Sequence, residues 1–524
     1  MTASGRAIAR AGLIVTAAYL ASRILGYVRT AVISTQFGAS PDLDSYFAAF
    51  RIPDAIFQLV AAGAVASALI PIVTELLVQG EESRAWRVVS TIANLMLIAL
   101  LVLAGAFFVL APTLMPLITP GFDAAHLDQT VRLTRVMLLS PILLALGAVT
   151  TSVLNATGRF AVSAAAPLLY NLGIIGGALF LAPSMGVDGL ALGVVAGSAA
   201  NLGIQVLALA RQRFGYAPSL DLGDTAARTV LILMLPRAIG LAATQITFLV
   251  NNGFASGLGE GAITVYNVAF TMLQIPIGVV GVPLSIVMLP AMSHALASGA
   301  TERFAELTDR SLRLLAFITL PATGLALVLS TQAVAFLFRQ GRFDAAATVV
   351  TGDLLVVFSL GLVAHAMITI LADAFYAGKD TRTPVLAAVI AVAVNVVVAV
   401  ATVGPLGLRG LALAITLGAW AEVIVLLVLL ERRIPAVRLA PLARGLATLL
   451  PGAAAATVAA YAVHVWLDGS GPGDASKLEL AAQLLVPSAV AAAVFLGIAV
   501  ALRLPELQTT RQILSALGTR RSVA

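Results

Sequence analysis

Arg409 and Glu422 are the only charged residues in the apolar run of residues 384–430. A stretch of that kind has no polar face to offer water. About 20 consecutive apolar residues cross the hydrocarbon of a bilayer, and a helix satisfies its own backbone polar groups there. Runs of this type recur near residues 12–36, 45–78, 88–117, 129–155, 161–183, 187–210, 229–256, 263–294, 312–336, 346–376, 384–403, 408–430, 442–467 and 478–502. The chain is therefore read as an all-α polytopic membrane protein with about 14 transmembrane helices. The second and eighth runs are over-long and contain Pro53 and Pro276/Pro283, which predicts tilted or broken helices. Composition agrees: 60% of residues are hydrophobic and 11% charged, against about 25% charged in a soluble domain.

The same composition excludes much chemistry. Cysteine is absent, and His126, His294, His365 and His464 are scattered, so no thiolate or imidazole metal site is expected. No phosphate-binding loop, nucleophile elbow or zinc-protease motif occurs, and no loop is large enough for a catalytic domain. The expectation is a protein that is not an enzyme, with no cofactor, no metal and no nucleic-acid partner. The net charge of +6 comes from loop arginines that mark topology. With the N-terminus inside, twenty-one basic residues fall on the inner side and six on the outer, so fourteen spans with both termini cytoplasmic satisfy the positive-inside rule. The basic start before the first run is read as part of a retained span rather than a cleaved leader.

The two halves echo each other at an offset of about 214–221 residues. Gly186–Leu192 matches Gly407–Leu413, Tyr46–Phe50 matches Tyr266–Phe270, Leu69–Pro71 matches Leu289–Pro290, and Arg23–Gly26 is answered by Arg237–Gly240. Six spans fit in each offset, an even number, so the repeats run in parallel and would face each other across a central cleft. The expected organisation is an N-terminal six-helix lobe at 1–215, a C-terminal six-helix lobe at 216–435, and two further helices with a basic tail at 436–524.

Charge inside the spans marks the candidate site, since a charged side chain at membrane depth costs about 2.5–3.5 kcal/mol on insertion scales. The first span carries Arg23 and Arg29, six residues and about 9 Å apart along a helix, with Gly26 as a notch between them. The second begins at Asp44 and carries Arg51 and Asp54. Guanidinium matches phosphate bidentately and stays charged, so Arg23, Arg29 and Arg51, with Arg237 added, suggest an anionic substrate such as a phosphate or pyrophosphate. The competing reading is static pairing, Arg23 or Arg29 with Asp54 and Arg51 with Asp44. His365 and Asp373, eight apart on the tenth span, form a second candidate as a proton relay or a satisfied pair.

Several stretches resemble one family. Ser22–Arg29, Phe37–Ala39, Asp44–Pro53, Gly63–Ala64 and Ala68–Pro71 are similar to the opening of the MurJ/MviN lipid II flippases. Leu154–Phe160, Pro276–Val282, Gly341–Asp344 and Ala374–Pro384 continue the similarity in order. The resemblance implies the superfamily of two-lobed alternating-access exporters that also holds multidrug antiporters and polysaccharide flippases. It implies a bacterial cytoplasmic-membrane protein whose lipid-linked anionic substrate is undecaprenyl-pyrophosphate-linked disaccharide-pentapeptide, with cell-wall synthesis proteins as partners. By position, the family's cavity arginines fall on Arg23 and Arg29 and its acidic residue on Asp44. The chain departs from the family pattern at Thr30, Phe57, Gln58, Ala62 and Thr271, where charged residues are common. A flippase for another polyprenyl-linked glycan and a cation-coupled antiporter are the alternatives.

Overall fold

The computed structural model describes residues 3–60, 64–211, 215–467 and 475–507. Within these, the side chains of 3–16, 60, 64, 66–67 and 235–244 lie outside the description. The chain forms two compact units. The first is Met1–Thr264 with Gln340–Phe343, and the second is Val265–Arg339 with Asp344–Ala524.

Unit 1 holds α1 (Ala3–Phe37), α2 (Pro41–Val60), α3 (Ala64–Val78), α4 (Glu82–Ile118), α5 (Ala124–Ala156), α6 (Phe160–Met185), α7 (Val187–Ala210) and α8 (Thr225–Ser256). Unit 2 holds most of α9 (Ala262–Ala297), then α10 (Thr301–Phe338), α11 (Ala345–Ser359), α12 (Leu362–Ala377), α13 (Arg382–Leu406), α14 (Leu408–Arg433), α15 (Leu439–Leu467) and α16 (Lys477–Ala501). Among the described residues ten helices are long and apolar enough to cross a membrane, and the pair α11–α12, bent by 48°, makes an eleventh span. With α1, the α2–α3 pair and α8, the total agrees with the fourteen runs read from the sequence.

Prolines inside these helices explain part of the packing in unit 1. A proline lacks the N–H that would satisfy the carbonyl four residues earlier, and in lipid no water takes its place. Pro53 leaves the carbonyl of Ala49 free, and Pro112 leaves that of Phe108. Arg135 of α5 answers the second, its Nε donating to Phe108 O at 2.9 Å; Thr134 Oγ1 donates to Thr130 O at 2.8 Å within its own helix and only approaches Ala49 O, at 3.4 Å. Small residues explain another part. Glycines repeat every four positions on α6 (Gly173, Gly177) and α7 (Gly189, Gly193, Gly197), and a Cβ on Gly173 would lie 2.2 Å from the Cα of Gly197. The two backbones meet because no side chain separates them, the usual solution where apolar helices gain nothing from leaving water.

The link into α8 is laid along α4. Ser90 Oγ accepts from Ala217 N at 3.1 Å, Asn94 Nδ2 donates to Ser219 O at 2.9 Å, and Tyr216 Oη donates to Asn94 Oδ1 at 2.6 Å. Asp224 then caps α8 through Ala226 N and takes both Nε and Nη2 of Arg84, at 2.8 and 3.2 Å. These ties hold α8 along α2, α3 and α4, although the sequence repeat assigns it to the second half.

In unit 2 the core runs from Phe304 on α10 through Met367, Ile370 and Leu371 on α12 to Val423 and Leu426 on α14. The last two helices pack on α10, with the rings of Phe317 and Phe495 4.9 Å apart. Glu506, just beyond α16, accepts from Arg313 Nε at 2.6 Å.

Candidate substrate site

The first helix buries one side and leaves the other to lipid. Leu20, Ile24 and Val28 lie on an exposed apolar strip, while the helix packs against α6. Arg23 lies against its own helix. It donates through Nη2 and Nε to Tyr19 Oη at 2.9 and 3.2 Å, with the guanidinium 5.4 Å from the Tyr19 ring centre. Tyr27, one turn further on, also lies within its electrostatic reach. The spacing Tyr19, Arg23, Tyr27 is i, i+4, i+8, a signal present in the sequence.

At the Gly26 notch a Cβ would make an ordinary contact with Asn171 Oδ1 of α6 at 3.9 Å, and Asn171 Nδ2 reaches Pro167 O at 3.1 Å and Ser22 O at 3.5 Å. Asn171 therefore borders the notch without filling it.

Three charged residues come together one and a half turns along. Asp54 lies within electrostatic reach of Arg51 first and Arg29 second. Arg29 also acts on Tyr46 of α2 and Tyr170 of α6. Among the described residues Arg29 makes no ion pair within 4.0 Å. Arg51 stacks on Phe248 of α8, 4.9 Å from its ring centre. Arg23, Arg29, Arg51 and Asp54 are all half-buried rather than sealed. Two guanidiniums around one carboxylate leave net positive charge, and Arg23 adds to it about 9 Å away along α1.

Asp44 goes elsewhere. Seven residues before Arg51, it is 2% exposed, and its Oδ1 accepts from both the backbone N and Oγ1 of Thr264 at 2.7 Å. The alternative of an Arg51–Asp44 pair is replaced by this contact at the first turn of α9. Close by, Arg342 N donates to Thr35 O at 2.9 Å, and a Cβ on Gly341 would fall 2.4 Å from that same oxygen. The N-terminal end of α2 is thus knitted to its surroundings by backbone, while the middle carries the charge. Arg237 lies on α8 with its side chain outside the described residues, as does Ala62.

In unit 2, His365 and Asp373 are not brought together. Ser285 Oγ donates to the Asp373 carboxylate, and His365 lies edge-on to Phe270, ring centres 6.3 Å apart. Among the described residues no group of His, Cys, Asp and Glu is arranged to hold a metal ion. The partners that sequence reading missed (Tyr46, Tyr170 and Phe248) carry no charge and sit on other helices; Asn171, an intramembrane amide of the kind that joins helices, reaches Ser22 O on α1.

Known proteins give the arrangement its context. The sequence profile of the family described as "Lipid II flippase MurJ" matches residues 33–476. A "Probable lipid II flippase MurJ" of Rhizobium tropici is 33% identical over 466 residues, covering 87% of each chain. A "Lipid II flippase MurJ" of Burkholderia cenocepacia is 30% identical, covering 81% of this chain and 84% of that one. Among solved structures, "Lipid II flippase MurJ, inward closed conformation" superposes with a TM-score of 0.78 at 21% identity, covering 94% of this chain and 99% of that one. An inward-facing multidrug transporter of the MATE family superposes at 0.65 and 17% identity. The fold is thus that of the exporter superfamily, and the chain belongs to the lipid II flippase family MurJ.

Proposed function

We propose that this chain moves lipid II, the undecaprenyl-pyrophosphate-linked disaccharide-pentapeptide, from the inner to the outer leaflet of the bacterial cytoplasmic membrane. The family match over residues 33–476 carries this reading. The charge at the site supports it. Arg23, Arg29 and Arg51 against Asp54 leave an excess that suits a doubly charged pyrophosphate diester, and guanidinium offers it paired donors. Arg29 and Arg51 hold the pyrophosphate, with Asp54 orienting both, and Arg23 extends the contact along α1. The sugar and peptide stay in the aqueous part of the path and the polyprenyl tail in lipid. Both termini lie in the cytoplasm. No ATP site is present in the sequence, so the membrane potential, at about 2.3 kcal/mol per charge per 100 mV, or an ion gradient drives the step. Cell-wall synthases that consume the flipped substrate are the expected partners.

The test is rescue of a bacterium depleted of its own lipid II flippase. The wild-type chain restores growth and shape, and Arg29→Ala or Arg51→Ala fails at equal membrane levels. A well-inserted wild type that does not rescue refutes the lipid II assignment and favours another polyprenyl-linked glycan, consistent with the uncharged Phe57, Gln58 and Thr271. Full rescue by the arginine variants refutes the charge mechanism.

A further inference from the structure

Away from that site, unit 1 carries another arginine packed against a neighbouring helix. Arg135 of α5 gives its Nε to the carbonyl freed by Pro112, and its guanidinium lies 4.7 Å from the ring centre of Phe108. Among the described residues it forms no ion pair within 4.0 Å. Its two Nη groups are therefore left to a cavity of about 490 Å³ that it lines with Phe108, Asp128, Val131, Arg132 and Val136.

The charges there are ordered. Arg132 is committed to Asp188, with Nε and Nη2 at 3.1 and 3.0 Å from its two oxygens. Asp128 stands at the mouth, its side chain 84% exposed and 4.0 Å from Arg132. It precedes Arg135 by seven residues, about 10 Å along the helix on the same face. The groove thus has an uncommitted guanidinium within and a carboxylate at its rim, and its charges balance overall.

Below Phe108 the face of α4 is bare and apolar. Leu101 is 53% exposed and Ile98 47%. Between them and Phe108, a Cβ on Gly105 would meet nothing within 4 Å. The apolar part of α4 begins near Ile92, so Phe108 comes about 24 Å later, close to the far edge of a ~30 Å hydrocarbon core. With both termini inside, that edge faces the outer leaflet. A polar pocket at headgroup depth continues into an apolar track toward the bilayer centre, the profile of a phospholipid.

We propose that this groove binds an outer-leaflet phospholipid with a zwitterionic phosphoethanolamine head. The phosphate pairs with Arg135, the ammonium with Asp128, and one acyl chain runs over Gly105 and Leu101. An anionic phosphoglycerol head brings no ammonium to Asp128 and leaves it only the 4.0 Å approach of Arg132. The disaccharide-pentapeptide head of lipid II is too large for the cavity. The inference does not rest on the transport reading.

Native mass spectrometry of the purified full chain, offered phosphatidylethanolamine and phosphatidylglycerol with identical acyl chains, tests it. The expected result is about fivefold better retention of phosphatidylethanolamine, the scale of one interfacial ion pair. Asp128→Asn removes that preference, and Arg135→Gln lowers retention of both lipids while keeping an amide near the Phe108 carbonyl. An unshifted thermal midpoint reports that Arg135→Gln has folded. If it has not, the exposed Asp128→Asn carries the test alone. Equal retention of the two lipids by the wild type, preference for phosphatidylglycerol, or an unchanged preference in Asp128→Asn overturns the proposal.

Discussion

At Arg29 the geometry separates two jobs that a guanidinium does in a membrane. Arg23 is held by Tyr19 on its own helix, whereas Arg29 lies within electrostatic reach of Asp54, Tyr46 and Tyr170 on two other helices. Arg29→Lys keeps the charge but loses the planar fork, so rescue of a flippase-depleted strain should fall at least tenfold in plating efficiency. Arg23→Lys should keep most of it. Equal behaviour of the two variants would count against this division. A different residue, Asp224, governs acid stability. It lies outside the spans, and the paired hydrogen bonds from Arg84 hold its carboxyl below the ordinary carboxylate range. A lowered folded value stabilises the protein above the unfolded value near 3.8, and the contribution fades as pH falls through the lowered value. Arg84→Ala should therefore flatten the acid-side fall of the thermal midpoint between about pH 5 and pH 3. The arginines themselves were legible in the sequence, because charge in an apolar run is conspicuous. Their partners were not: Phe248 and Tyr170 are ordinary apolar-run residues until the fold brings them to α1 and α2.

Helix contacts were legible only where composition betrays them. The glycine ladder of α6 and α7 is visible as a spacing of four. A side chain on Gly173 would strike the Gly197 backbone at 2.2 Å. Gly173→Val should cost about 1–3 kcal/mol, the usual scale of overpacking, and lower the thermal midpoint in detergent. No change would mean that α6 and α7 separate readily. The repair by Arg135 was invisible in advance, since a proline announces a free carbonyl without saying which helix supplies the donor. Gly26 is similar: its spacing reads the same whether a ligand or a neighbouring helix lies beside it.

Across the whole molecule the repeat is clearer in the backbone than in the sequence. Left-handed residues recur in step: Gly38 with Gly259, Gly80 with Gly299, Gly158 with Lys379, and Gly186 with Gly407. Asp123 and Asp344 each cap a helix at matching positions of the two halves. One ion pair is repeated with its charges exchanged, Arg132–Asp188 in unit 1 and Asp353–Arg409 in unit 2. Opposite residues at matching positions defeat a search for identity, which is why the sequence showed only four short echoes. The pair should tolerate a second exchange. Asp353→Arg or Arg409→Asp alone places like charges together and should reduce rescue, and the double variant should restore most of it. A double variant as defective as the singles would show that the position matters for more than the pair.

The carbonyl answered by α5 also bears on how the protein is made. Synthesis runs from the N-terminus, so α4 enters the membrane before residue 135 leaves the ribosome. Until then the Phe108 carbonyl, near one edge of the hydrocarbon, has no donor from its own chain, at a cost of about 1–3 kcal/mol. The early hairpins are thus provisional insertions, retained by the translocation machinery or by water until α5 arrives. A chain stopped at residue 123 should be extracted and degraded faster than one stopped at residue 156, a difference that pulse-chase labelling of the two truncations would read directly.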